Sequence, residues 1–291
     1  MMHWRYFDRI SRLGIWILAG TLSAAPLLAQ AAPLETAQAA YRRTQYKQAR
    51  SLLESLPKDR AAVLLLLGKV YYGLGEYKSA TQVLDDAAKL QPNSSDIYLW
   101  LGRAYGRRAE TSNFLTAPRH AAKTHRYLER ALQLDSSNQG AADDLLEYYL
   151  QAPGFLGGGR SKAEALARQM MGVDAERAWA RIAEDQEDFA IAEQHLRKAI
   201  ELDRENAGLL VKFAQFLARR GRIKESDHMF AEAALLAPTD PEVAFARART
   251  YIEQERNLNE ARDLLNAYIE ADLTPENPSR QEAREWLEKA L

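Results

Sequence analysis

One stretch, Ala61 to Pro92, constrains this chain more than any other. Within it Leu67-Gly68, Tyr71, Gly75, Tyr77, Ala80, Leu84, Ala87 and Pro92 recur at helical spacing. The small residues Gly68, Ala80 and Ala87 let two antiparallel helices approach closely, while Leu67, Tyr71 and Leu84 fill the space between them and the next pair. Gly75 ends the first helix and Pro92 stops the second. A hairpin of this kind cannot bury both apolar faces alone, so it calls for copies of itself on either side.

The chain supplies them. Leu34 to Pro57 is a degenerate first unit, with Ala37, Ala40, Tyr41, Tyr46, Ala49 and Leu53. Ser95 to Ser136 repeats the pattern through Leu101-Gly102, Tyr105, Leu128 and Ala131, with about ten extra residues expected as a loop around Glu110 to Arg119. A fourth unit starts near Gln139 with Ala142, Leu146 and Tyr149, then meets an insertion at 153–160; Ser161, with Glu164 three residues on, is expected to cap the helix that follows. Further units span Asp174 to Leu202, Asn206 to Pro238, and Pro241 to about Leu273. A last helix within 277–291, with Trp286 and Leu287 beneath a charged face, closes the stack. No segment alternates with period two, so the expected fold is all-α: an α-solenoid of about seven antiparallel helix pairs with a C-terminal capping helix.

The L-G-x-x-Y, A-x-x-x-F and P spacing of Ala61 to Pro92 resembles the tetratricopeptide repeat (TPR) family, and the resemblance extends over nearly all of residues 32–291. It looks like an exported bacterial type, and the resemblance implies a right-handed α-solenoid. Arg5, Arg9 and Arg12 precede an apolar run, Leu13 to Leu28, and Ala29-Gln30-Ala31 offers a small-x-small signal, so residues 1–31 read as a signal peptide cleaved after Ala31. A periplasmic or secreted location follows, the alternative being a retained anchor.

What the resemblance implies is a concave groove lined by the first helix of each pair, binding another protein. Its positions would be Lys69 and Gly73, Arg103 and Arg107, Glu147 and Gln151, Arg181 and Asp185, Gln215 and Arg219, Arg249 and Glu253. Cations hold four of the six leading places, which suits an acidic or carboxylate-bearing partner segment, and Tyr72 and Phe245 are expected to add apolar contact. Leu65 and Lys69 stand where the family's chaperone-binding clamp would need Lys and Asn, which argues against that partner. The expected role is a non-enzymatic scaffold that assists assembly or regulation of an envelope complex. A carrier or sensor for an anionic small molecule, using Arg103, Arg107 and the 157–160 loop, is the alternative.

Other chemistry finds little support. Cysteine is absent, which removes thiol catalysis, disulfides and thiolate metal sites. With a net charge of −1, no strongly basic character points to nucleic acid. Gly154 to Ser161 approaches a phosphate-binding loop but lacks a preceding strand and carries Arg for Lys; in a milder form Gly157, Gly158, Gly159 and Arg160 could hold an anion. His120 and His125 are five apart, off a common helix face, and His195 and His228 are isolated; each is expected to pack or to face water. Asp143-Asp144 and Glu184-Asp185 read as solvated helix faces. No cofactor, metal or catalytic residue is expected.

Overall fold

The structure, a computed structural model, describes residues 25–290, with side chains from Pro33 onward. Of the expected targeting segment, residues 1–24 lie outside the described residues; Ala25–Ala31 form the start of the first helix. The first described core residue is Leu34.

Among the described residues, fifteen α-helices follow one another as seven hairpins and a final helix: α1 (Ala25–Arg42) and α2 (Tyr46–Glu54), α3 (Ala61–Gly73) and α4 (Tyr77–Leu90), α5 (Ser95–Thr111) and α6 (Ala117–Leu134), α7 (Gln139–Gln151) and α8 (Arg160–Ala167), α9 (Gly172–Asp185) and α10 (Phe189–Leu202), α11 (Ala207–Arg219) and α12 (Ile223–Leu236), α13 (Pro241–Glu253) and α14 (Leu258–Glu270), then α15 (Arg280–Lys289). Polar caps start several of them: Ser94, Asn138, Asp188, Asp240 and Ser279 each accept a hydrogen bond from a first-turn amide. The fold is an α-solenoid.

Equivalent small residues set the hairpin spacing. Gly68, Gly102, Leu146, Ala180, Ala214 and Ala248 lie 34 residues apart, except for the 44-residue step from Gly102 to Leu146. A Cβ on Gly68 would stand 2.5 Å from Leu84 Cγ, and one on Gly102 would stand 2.6 Å from Leu128 Cδ2. The fourth hairpin reverses the arrangement: Leu146 occupies the small-residue place, and Ala163 and Ala167 share its core cluster from α8. The large and the small partner have exchanged helices.

The two insertions differ from expectation. The extra residues of the third unit are mostly helical, since α5 runs 17 residues to Thr111 and α6 begins at Ala117 with Pro118 in its first turn. Only the turn between remains irregular, where Asn113 Oδ1 accepts from the amides of Leu115 and Thr116. In the fourth unit Gly159, not Ser161, precedes α8, without a side-chain cap. Its amide donates to Tyr149 O at 2.8 Å, which fixes the helix start two residues before the expected cap.

Among the described residues successive first helices touch (α1 with α3, α3 with α5, α5 with α7, α7 with α9, α11 with α13) except α9 with α11, whereas successive second helices do not touch at all. The stack therefore curves, with the first helices on its inner side. The curvature is enough to bring the two ends together. Arg280, at the start of α15, donates from Nε to Ile269 O and from Nη2 to Ala271 O, and its Nη1 reaches Thr44 Oγ1 at 2.7 Å across 236 residues of sequence. The segment from Leu273 to Trp286 thus faces the inner side of the first hairpins across a common recess.

Five of the turns from first to second helix place a residue in the left-handed region, Thr44, Gly75, Glu187, Gly221 and Glu255, the last with Asn257 beside it. Glycine adopts this region without strain. Glu187→Gly (φ 58 at Glu187) is expected to raise stability by about 0.5–1 kcal/mol, read by urea denaturation; a loss would show that Glu187 makes a contact that outweighs its backbone strain.

Candidate functional site

The inner surface carries the cations expected there, but each is engaged. Lys69 Nζ lies 2.8 Å from Asp96, Arg103 Nε 2.6 Å from Asp144, and Arg219 Nη2 2.6 Å from Glu184. Arg181 forks onto Glu147 with two bonds of 3.0 Å, and Arg249 pairs with Glu253 at 2.7 Å. Arg107 bonds Tyr77 Oη and pairs with Glu110. Arg177, not foreseen, bridges Asp143 and Asp174. The pairs Lys69–Asp96, Arg103–Asp144, Arg181–Glu147 and Arg219–Glu184 each join one first helix to the next, so they set hairpin spacing as well as neutralising the wall. Half-exposed pairs of this kind contribute about 0.2–1 kcal/mol each. Burial holds the Asp143 carboxyl above its ordinary range despite Arg177. Lys212, on the same wall, has no such carboxylate partner among the described residues.

Phe245 does not line the groove. It is 3% exposed, with its ring 4.9 Å from that of Tyr268 in the core of the last hairpin. The reason is helix phase: Phe245 lies three residues before Ala248, on the buried face.

The three glycine amides of the 157–160 loop are not free. Gly157 N donates to Gly154 O, Gly158 N to Pro153 O and Gly159 N to Tyr149 O, while Lys162 Nζ donates to Gly157 O. With these donors satisfied internally, the three glycines do not form an anion cradle. Arg160 faces outward beside Glu164 at 3.5 Å. The loop instead walls a recess, and His125 packs beneath it, stacked on Tyr148 with centroids 5.2 Å apart.

That recess, of about 700 Å³, is lined by Tyr72, Trp100, Arg103 and Arg107 on one side, by Asp144, Tyr148, Pro153 and Leu156 on another, and by Pro275 and Glu276 from the C-terminal segment. Tyr72 stands edge-on to Trp100 (5.3 Å, 82°) and to Tyr77 (5.5 Å, 64°). The Lys69 ammonium and the Arg103 guanidinium each lie 5.2 Å from the Trp100 ring centre. Burial pushes the Tyr72 hydroxyl above its ordinary value. Trp100 and Tyr148 are within reach of sequence reasoning, as helical neighbours of groove positions. Pro275 and Glu276 are not, because only the curvature of the whole stack brings them here.

Among the described residues no group of three His, Asp or Glu is placed to hold a metal, and no helix is long and apolar enough to cross a membrane. His195, isolated in sequence, lies with Nδ1 2.6 Å from Glu176, which also receives Lys198 at 2.5 Å. Burial raises the Glu176 carboxyl pKa, but the hydrogen bonds from His195 and Lys198 outweigh it and hold the group below its ordinary 4.5. A depressed carboxylate stabilises the fold above that value and ceases to as pH falls through its folded pKa. The melting temperature is therefore expected to fall on acidification below about pH 4.5 more steeply than in Glu176→Gln; parallel profiles would remove Glu176 from the acid response.

Known proteins share this architecture. The TPR repeat family matches residues 68–108, and the tetratricopeptide repeat family matches residues 180–206. A thermophilic TPR protein of Thermus thermophilus is 20% identical, with a TM-score of 0.52 over 65% of this chain and 98% of that one. A tetratricopeptide repeat protein from Parabacteroides merdae reaches a TM-score of 0.58 at 13% identity, over 90% of this chain and 99% of that one. The human IFIT1 dimer with PPP-AAAA gives 0.53 at 19% identity, over 81% of this chain and 53% of that one. No curated protein matches the sequence. The family matches and the shared fold support a TPR solenoid; the low identities carry nothing about partners.

Proposed function

We propose that this protein is an exported, non-enzymatic scaffold of the cell envelope that holds a segment of another protein in its inner recess. TPR proteins generally act as interaction scaffolds. Export rests on the basic, apolar and small-residue order of residues 1–31. The observation that carries the binding reading is the folding of the Leu273–Trp286 segment over the first hairpins, which turns an open groove into an aromatic-walled recess beside Trp100.

The guest follows from the wall. Arg103 and Arg107 are outnumbered there by Glu110, Asp144, Glu147 and Glu276. An anionic small molecule would have to displace existing carboxylates, which disfavours the carrier or sensor. A purely acidic segment meets the same obstacle. An apolar or aromatic side chain against Tyr72, Trp100, Tyr148 and Pro275, with its flanking backbone on the polar rim, fits without breaking an ion pair. Because the scaffold is preformed, little ordering free energy is spent on binding.

The experiment is photo-crosslinking from Gln151, exposed at the recess, against Leu236, exposed at the far end of α12. A protein adduct is expected from Gln151 alone and should weaken by about thirtyfold in Trp100→Ala, as for a buried aromatic anchor. Equal adducts from both positions, or an adduct indifferent to Trp100→Ala, would place the interaction elsewhere.

A further inference from the structure

The two inserted turns carry three exposed side chains that do not line the recess. Phe114 and Leu115 are 83% and 75% exposed, and Phe155 is 83% exposed. Each turn follows the first helix of its pair, and the pairs are consecutive, so both turns lie on one edge of the solenoid. They border the same recess, Glu110 and Ala121 from one side, Pro153 and Leu156 from the other, and the short turn Gly154–Leu156 packs on α6. None of the three exposed side chains holds its turn together. Asn113 does so in the first, and backbone bonds with Tyr148 Oη donating to Leu156 O do so in the second. The corresponding turns without insertions, Leu74-Gly75-Glu76 and Arg220-Gly221-Arg222, present no aromatic residue.

Cations accompany these tips, and they are less engaged than those of the inner wall. Arg119 is exposed and has no carboxylate or other partner among the described residues. Lys162 donates to a backbone carbonyl and lies 5.7 Å from the Tyr149 ring centre with no carboxylate partner among the described residues, Arg160 is 56% exposed, and Lys123 bonds the Tyr105 hydroxyl. The nearby carboxylates, Glu110 and Glu164, already pair with Arg107 and with Arg160 and Arg168. The local field is positive: burial, with Arg108, Lys123 and Arg119, pushes the His120 pKa down. Exposed leucines at the opposite edge have carboxylates beside them, Asp203 and Glu205 at Leu202, and Asp240 and Glu242 beyond Leu235.

We propose that this edge docks the protein on an anionic phospholipid bilayer, with Phe114, Leu115 and Phe155 entering the interface and Arg119, Arg160 and Lys162 meeting headgroup phosphates. The tips are projecting knobs flanked by cations, a shape that a fluid anionic surface can envelop. Binding combines apolar burial with attraction to the charged surface, so neither element alone suffices.

The test is co-sedimentation of the protein with vesicles of phosphatidylcholine alone or mixed with phosphatidylglycerol. Binding is expected to the mixed vesicles only and to weaken in high salt. Phe114→Ser with Leu115→Ser and Phe155→Ser, and separately Arg119→Glu with Lys162→Glu, should each lower it by at least about tenfold with unchanged circular dichroism and melting temperature. Sedimentation indifferent to phosphatidylglycerol or to either variant set would overturn the proposal. So would a protein adduct, in place of vesicle binding, from a photo-crosslinker at Phe114.

Discussion

Leucine in place of Gly68 will destabilise the protein by about 2–3 kcal/mol, because a Cβ there falls 2.5 Å from Leu84 Cγ and the hairpin has no room to part without losing its neighbours. Leu84→Ala alone, at a fully buried position, will cost about 2–5 kcal/mol through the cavity it leaves. Together the two changes will cost far less than their sum. The fourth hairpin already uses that combination, with Leu146 in the small-residue place and alanines at 163 and 167 opposite. Urea denaturation of the two single variants and the double variant measures the coupling; additivity within about 0.5 kcal/mol would refute the proposed equivalence of the hairpins.

Gly158→Ala will have a comparable effect on stability and a larger one on binding. A Cβ at Gly158 would lie 1.8 Å from the Ala152 carbonyl oxygen, a backbone atom that cannot rotate aside. The loop must move, which breaks the bonds from Gly158 N to Pro153 O and from Gly159 N to Tyr149 O and carries Pro153 and Leu156 away from the recess. A loss of about 3 kcal/mol is expected, together with loss of the adduct formed from Gln151. Gly154→Ala is the control, since nothing lies within 4 Å of its would-be Cβ. If both variants melt and crosslink alike, the loop does not shape the recess.

Both predictions depend on local packing that the residues themselves disclose. Gly68, Gly102, Ala214 and Ala248 recur in register with Tyr71, Tyr105, Leu217 and Tyr251, and this periodicity alone identifies the hairpins. The insertions are legible as excess length, but their conformation is not. Helix extension past Glu110 and the start of α8 at Arg160 depend on which backbone groups find partners in neighbouring elements, as Gly159 N does in Tyr149 O. Phe245 sits in the core and not on the groove because a spacing read from one end of a helix takes no account of the partner helix that Tyr268 belongs to.

The identities of the groove cations can be read directly, whereas their neutralisation cannot: Arg103 meets Asp144 and Arg181 meets Glu147 only when hairpins stack with a particular offset. The order of residues is enough to dictate the helices, the seven hairpins and their succession, because each follows from contacts over about three dozen residues. That the stack bends until Arg280 touches Thr44 and Pro275 closes over Trp100 is settled by the assembled molecule. Curvature is the accumulated sum of small rotations at every hairpin interface, so no single stretch of sequence contains it.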